Sequence, residues 1–269
     1  MTKLGLCLAG GGARGAFQTG VMKALNVLGI APKLKAFSGT SIGSVNASFF
    51  ATKPIEEVIA IWEEMTPEHM RRTESYFRNL IHERVGITKT GLYDISDLET
   101  LLKTQLDTRM LKEKDVFVTI AEGGTTNEGF FGLLKASYQH YIKKDTKAIY
   151  IPLCEQDETA MVQYILASCS IPLVFPAVSI GTTNYFDGGL YDNVPVKPLI
   201  EAGCDEIIIV HLHRLNFFDP DKHPGIVFHE IQHKGALGGI LNFDPERAKN
   251  IIQLGYDDAM AYFGEHPIH

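Results

Sequence analysis

Twice near the N-terminus a short apolar run breaks off into glycines and is followed by a helical pattern. Leu4 to Ala9 runs into Gly10-Gly11-Gly12-Ala13-Arg14-Gly15, and Leu34 to Ser38 runs into Gly39-Thr40-Ser41-Ile42-Gly43. Apolar runs this short, bounded by glycine turns, read as buried strands. Helices are expected from about Ala16 to Leu28 and from just after Ser41. Strand, tight turn and helix in repeated order predict βαβ units around a mostly parallel sheet. The rest of the chain keeps that rhythm. Further strands are expected at Val116 to Ala121, Ile149 to Leu153 and Ile207 to Leu212. Further helices are expected from Ile55 to about Glu83, at Asp97 to Leu106, and at Asp244 to Phe263 with proline in the first turn.

A length of 269 residues suits one α/β domain spanning 1–269, and no internal repeat or linker-like tract divides it. The formal charge of −7 argues against nucleic acid as the main partner. The apolar start is too short for a secretory signal and leads straight into glycines, and no run is long enough to span a bilayer. Cys7, Cys154, Cys169 and Cys204 are scattered without a CxxC, which reads as free thiols in a reducing cytoplasm.

Gly39 to Gly43 match GxSxG between a strand and a helix. A serine on so sharp a turn has a strained backbone, and glycines two residues to either side remove side chains that would clash. The following helix directs its positive end at the site. Gly10 to Gly15 also fit GxGxxG, the dinucleotide fingerprint, which needs an acidic residue at the end of the second strand. That strand ends Phe37-Ser38-Gly39, and no Asp or Glu occurs between Gly15 and Glu56, so the cofactor reading is poor. The same backbone amides form an anion-binding hollow, and beside a nucleophilic serine the hollow becomes an oxyanion hole made by Gly10, Gly11 and Gly12. Arg14 then orients the loop, neutralises a lipid phosphate, or starts the helix with an ordinary ion pair.

A serine hydrolase of the common α/β type has a late histidine, and His211, His213, His223, His229 and His233 are available. Asp187, followed by Gly188 and Gly189 after an apolar hairpin, is an alternative base or a simple turn cap. His229-Glu230-Ile231-Gln232-His233 is a literal HExxH, rarer by composition than GxSxG. Zinc chemistry requires that motif on a helix. Here Ile226-Val227-Phe228 and the surrounding glycines and proline read as a strand, so no metal or other cofactor is expected.

The three glycine motifs in this order, GGGxRG at 10–15, GxSxG at 39–43 and DGG at 187–189, resemble the patatin-like phospholipase family. Ala167-Ser168-Cys169-Ser170-Ile171-Pro172, Asp192-Asn193-Val194-Pro195-Val196, Gly91-Leu92-Tyr93-Asp94 and Leu254-Gly255-Tyr256-Asp257 agree with it. The resemblance implies a three-layer α/β/α fold and a Ser41–Asp187 dyad in place of a triad. It also implies an oxyanion loop at Gly10 to Gly12, supported by Arg14, Gly15, Gly39, Gly43, Gly188 and Gly189. The implied substrate is a phospholipid, lysophospholipid or neutral acyl ester. Peripheral membrane contact is an expectation at Met70 to Ile81 and at Gly129 to Leu134, where arginines or glycines adjoin apolar residues. Two other functions compete: a zinc hydrolase through His229 and His233, and an inert regulator that keeps the fold without turnover.

Overall fold

The computed structural model describes residues 2–65, 95–125, 148–172, 174–214 and 218–268. The stretches 70–81, 91–94 and 129–134, to which lipid contact and part of the family resemblance were assigned, lie outside them.

Among the described residues eight strands form one sheet: β1 (Leu4–Leu8), β2 (Leu34–Thr40), β3 (Asp115–Thr125), β4 (Ile149–Pro152), β5 (Val178–Ile180), β6 (Thr183–Asp187), β7 (Glu206–Val210) and β8 (Val227–Ile231). The order is β5-β6-β3-β2-β1-β7-β8, with β4 also paired to β3. Pairings β3–β2, β2–β1, β1–β7 and β7–β8 are parallel, whereas β4 and β6 meet β3 antiparallel and β5 meets β6 antiparallel. The expected parallel sheet therefore occupies the part built from β1, β2, β3, β7 and β8.

Both faces of that part are covered, which explains why its strands read as continuous apolar runs. Leu4, Leu6, Leu8, Val116, Val118, Ile208 and Val210 face the larger core. Into it pack α1 (Ala16–Val27), α2 (Ile42–Thr52), α3 (Ile55–Glu64), α4 (Ser96–Gln105), the single turn α5 (Thr108–Leu111), α6 (Glu158–Cys169) and the long α8 (Pro245–Glu265). Cys7, Ala36, Ile207 and Ile209 point the other way, onto Leu199 of the short α7 (Lys197–Glu201) and onto Val196 and Cys204. The result is a helix–sheet–helix sandwich with one thick and one thin helical layer.

At two of the helices a side-chain cap replaces a missing backbone partner. Asp157 accepts from Ala160 N at the start of α6, and Asp244 accepts from Arg247 N at the start of α8, where Pro245 occupies the first turn. Among the described residues no helix is long and apolar enough to cross a membrane.

The register of β3 places the site. Thr40, the last residue of β2, pairs with Thr119; Asp187, the last residue of β6, pairs with Ile120. The two strands run in opposite directions and end on consecutive residues of β3. The turn after β2 and the turn after β6 are thus brought against each other.

Candidate active site

Ser41 occupies the turn between β2 and α2 with φ 56° and ψ −129°. Among the described residues it is the one non-glycine with positive φ. A residue in such a conformation costs on the order of 1–3 kcal/mol and persists only where its surroundings over-determine it. They do so here. Ser41 N–H donates to Ser168 Oγ at 2.9 Å, and that hydroxyl donates to the Thr119 carbonyl at 2.7 Å. The Ser41 carbonyl accepts from the Ser44 amide at 2.8 Å and from Ser44 Oγ at 2.6 Å. Glycine is required on both sides: a Cβ on Gly39 would lie 2.2 Å from the Gly43 oxygen, and one on Gly43 would lie 2.2 Å from the Leu8 oxygen.

Asp187 ends β6 and is 6% exposed. Burial pushes its carboxyl up to about 6. Hydrogen bonds from the Gly189 amide, at 2.8 Å, and from the Ser41 hydroxyl pull the other way. Desolvation prevails over the two bonds. The Asp187 N–H donates to the Ser170 carbonyl at 3.0 Å, so the Ser168–Ser170 segment holds the backbones of both Ser41 and Asp187. Gly188 lets this turn lie on β3, since a Cβ there would meet Thr119 Cγ2 at 2.7 Å.

The glycine-rich loop after β1 completes one wall. A Cβ on Gly10 would lie 3.1 Å from Ser41 Cβ. The Gly10 amide is committed to Asn193 Oδ1 at 3.2 Å, and Asn193 Nδ2 donates back to the Gly10 carbonyl at 3.4 Å. The amides of Gly11 and Gly12 have no hydrogen-bond partner among the described residues. Gly12, at φ 56°, passes so close to Ile240 that any side chain would strike its carbonyl oxygen. Gly15 packs on Ile42 and Trp62. Arg14 donates to the carbonyls of Gly238 and Leu212 and to His213 Nδ1; it orients the loop and, among the described residues, makes no ion pair.

Residues 192–195 clasp these pieces together. Besides the Asn193 link, the Asp192 carbonyl accepts from Thr40 Oγ1, the Pro195 carbonyl accepts from Ser38 Oγ, and Asp192 Oδ2 accepts from Tyr150 at 2.6 Å. The Asp192-Asn193-Val194-Pro195 text marks the family resemblance, but its clasping role is not legible in the sequence. Its partners Gly10, Ser38 and Thr40 lie more than 150 residues away along the chain, beyond any local signal.

Two spaces meet at Ser41. One is a cavity of about 140 Å³ with walls from Ile42, Ile61, Leu98, Leu101, Phe175 and Phe243. The other is a cleft of about 740 Å³ lined by polar groups including Asp187, Asn193, Lys197, His213 and Lys222. Gly12, Ser41, Ile171 and Ile240 border both.

The late histidines have other partners. His211 Nε2 pairs with Glu230 at 2.8 Å, His229 Nε2 with Glu206 at 2.8 Å, and His233 Nδ1 with Asp258 at 2.7 Å; His223 stacks on Phe218. His229 and Glu230 lie on strand β8, where the one-turn geometry of a zinc helix does not arise. The zinc reading loses its structural basis.

A family model described as patatin-like phospholipase matches residues 6–200. The chain belongs to the patatin-like phospholipase family. Within curated proteins it is 26% identical over 226 residues to Lysophospholipase NTE1 of Cryptococcus neoformans, covering 81% of this chain and 12% of that protein. It is 25% identical over 244 residues to an uncharacterized NTE family protein of Mycobacterium tuberculosis, covering 88% of this chain and 35% of that one. The chain thus spans only a minor part of these relatives' length. In structure it resembles VipD from Legionella pneumophila, with a TM-score of 0.53 at 14% identity, over 98% of this chain and 67% of that one. That likeness concerns the patatin fold.

Proposed function

We propose that this patatin-like protein hydrolyses a lipid acyl ester through a covalent serine intermediate, with Ser41 as nucleophile and Asp187 as its base. The observation that carries the reading is the strained Ser41 turn facing a buried carboxylate whose affinity for protons burial has raised. In the first half-reaction Ser41 Oγ attacks the ester carbonyl and passes its proton to Asp187. The negative oxygen of the tetrahedral intermediate sits on the open amides of Gly11 and Gly12 and the N-terminus of α2. Asp187 then protonates the leaving alcohol, and in the second half-reaction it takes a proton from the water that releases the acid. A carboxyl near 6 suits both transfers better than one at 3.8, because it is a stronger base when ionised and is still ionised at neutral pH.

The two spaces divide the substrate. The acyl chain enters the apolar cavity, and the alcohol with its polar head group occupies the larger cleft. Lysophospholipids, with one chain and a polar remainder, fit this division.

Ser41→Ala is expected to abolish hydrolysis of p-nitrophenyl esters and of lysophosphatidylcholine while leaving the circular dichroism spectrum unchanged; appreciable residual turnover would remove Ser41 from the mechanism. Wild-type kcat/KM should rise with pH through about 6 as Asp187 ionises, since the carboxylate is the active form. A profile flat from 5 to 8 would show that another group is the base.

A further inference from the structure

The cleft that holds Ser41 shares its wall of His211, Leu212 and His213 with a second basin of about 530 Å³. Arg14 and Arg214 line this basin together with His213, Gln232 and His233, and among the described residues no carboxylate lines it. Arg14 borders the basin and not the Ser41 cleft. Its Nε and Nη1 are fixed by Gly238, Leu212 and His213, which leaves Nη2 without a partner among the described residues. The exposed guanidinium of Arg214 has none there either. Arg247 reaches the same 237–239 loop, donating to the Gly239 carbonyl at 3.1 Å and to the Leu237 carbonyl. Burial and then the charge of Arg14 hold its guanidinium below the ordinary value, against the pull of Asp244. The nearby carboxylates are occupied: Glu230 by His211, Asp258 by His233, and Asp244 by the first turn of α8.

One guanidinium held in place and one free, around a hollow without acidic lining, form a receptor for an oxyanion. We propose that this basin binds a phosphate group, supplied either by a soluble phosphate ester or by the head group of an anionic lipid, on the far side of the His211–His213 wall from Ser41. Gln232 completes the frame, donating to the His213 and Arg214 carbonyls at 2.5 and 3.2 Å and so fixing the backbone from which Arg214 projects.

The test uses the full chain carrying Ser41→Ala, so that no lipid is consumed, with and without Arg214→Glu. Inorganic phosphate and sn-glycerol 3-phosphate are titrated by calorimetry. Vesicles of phosphatidylcholine, with and without phosphatidate, are sedimented with the protein. Losing one charge-assisted contact should weaken binding about ten-fold or more in Arg214→Glu. Saturable binding of the soluble phosphates that is lost in the variant supports the site with a free ester as ligand. Phosphatidate-dependent sedimentation alone, lost in the variant, supports it with a lipid head group. No binding of any probe, or binding unchanged by Arg214→Glu, overturns the proposal. Arg214 bonds no described residue through its side chain, so its replacement should leave the thermal midpoint in place; Arg214→Gln, which removes the charge alone, repeats the test. Because binding is read on a chain without Ser41, its failure and a failure of the hydrolase reading are separate results.

Discussion

At Asp187, burial opposes two hydrogen bonds that favour the charged form, and the carboxyl comes to rest near 6, above the 3.8 of an exposed aspartate. The same shift bears on stability. A carboxyl whose folded value is raised contributes stability that is fully present below the unfolded value and is lost as pH rises through the folded one. Two pH units correspond to about 3 kcal/mol. Asp187→Asn removes this ionisation. It should stabilise the fold by up to about 3 kcal/mol at neutral pH, with the gain vanishing below the ordinary carboxylate range. Urea midpoints at two pH values check it; a variant less stable than wild type at neutral pH would show that the bonds from Gly189 and Ser41 outweigh desolvation. Much at this scale was legible in the chain. The glycines at 39 and 43 announced a turn too tight for side chains, and the glycines after Asp187 announced a close approach. The Asn193 clasp was not legible, because its partner Gly10 lies 183 residues away.

Between elements, two contacts decide whether the site is assembled. The first is that clasp, which ties the loop after β1 to the segment after Asp187. Asn193→Ala should lower kcat by about ten-fold or more with a smaller change in KM, since a displaced oxyanion donor acts in the transition state. Steady-state kinetics would decide, and a change in KM alone would place Asn193 in substrate binding instead. The second contact is the crossing of α1 and α8. A Cβ on Gly255 would lie 2.1 Å from the Phe17 carbonyl oxygen, and one on Gly20 would strike the Ile252 carbonyl oxygen. Two glycines thus bring the helix backbones together. Gly255→Ala should cost about 1–3 kcal/mol by overpacking, read as a lower thermal midpoint; an unchanged midpoint would mean that the helices separate freely.

Most elements were legible from apolar runs and their bounding turns: the observed β1, β2, α1 and α8 depart from expectation by at most two residues at either end, and α2 starts directly after Ser41 as expected. The expected helix from Ile55 ends at Glu64 within the described residues. Helix α6 was missed. It buries Met161, Val162, Ile165, Leu166 and Cys169 without a strong one-sided pattern, and Asp157 as its cap was the available signal. The antiparallel portion of the sheet was hidden for another reason: β3 is eleven residues long and serves three partners, and pairing partners leave no local trace.

For the molecule as a whole, three glycine turns far apart in sequence converge because β1, β2 and β6 deliver them to one place on the sheet. The apolar cavity and the larger cleft then meet at Ser41. Neither space could be inferred from the chain, since each is bordered by residues from several distant segments. The measurement that bears most directly on the account is labelling of the intact protein with a fluorophosphonate, followed by peptide mass spectrometry, in wild type and in Asp187→Asn. The account predicts a single adduct on Ser41 in the wild type and its loss in Asp187→Asn. An adduct on another residue, or undiminished labelling of Ser41 without Asp187, would contradict it.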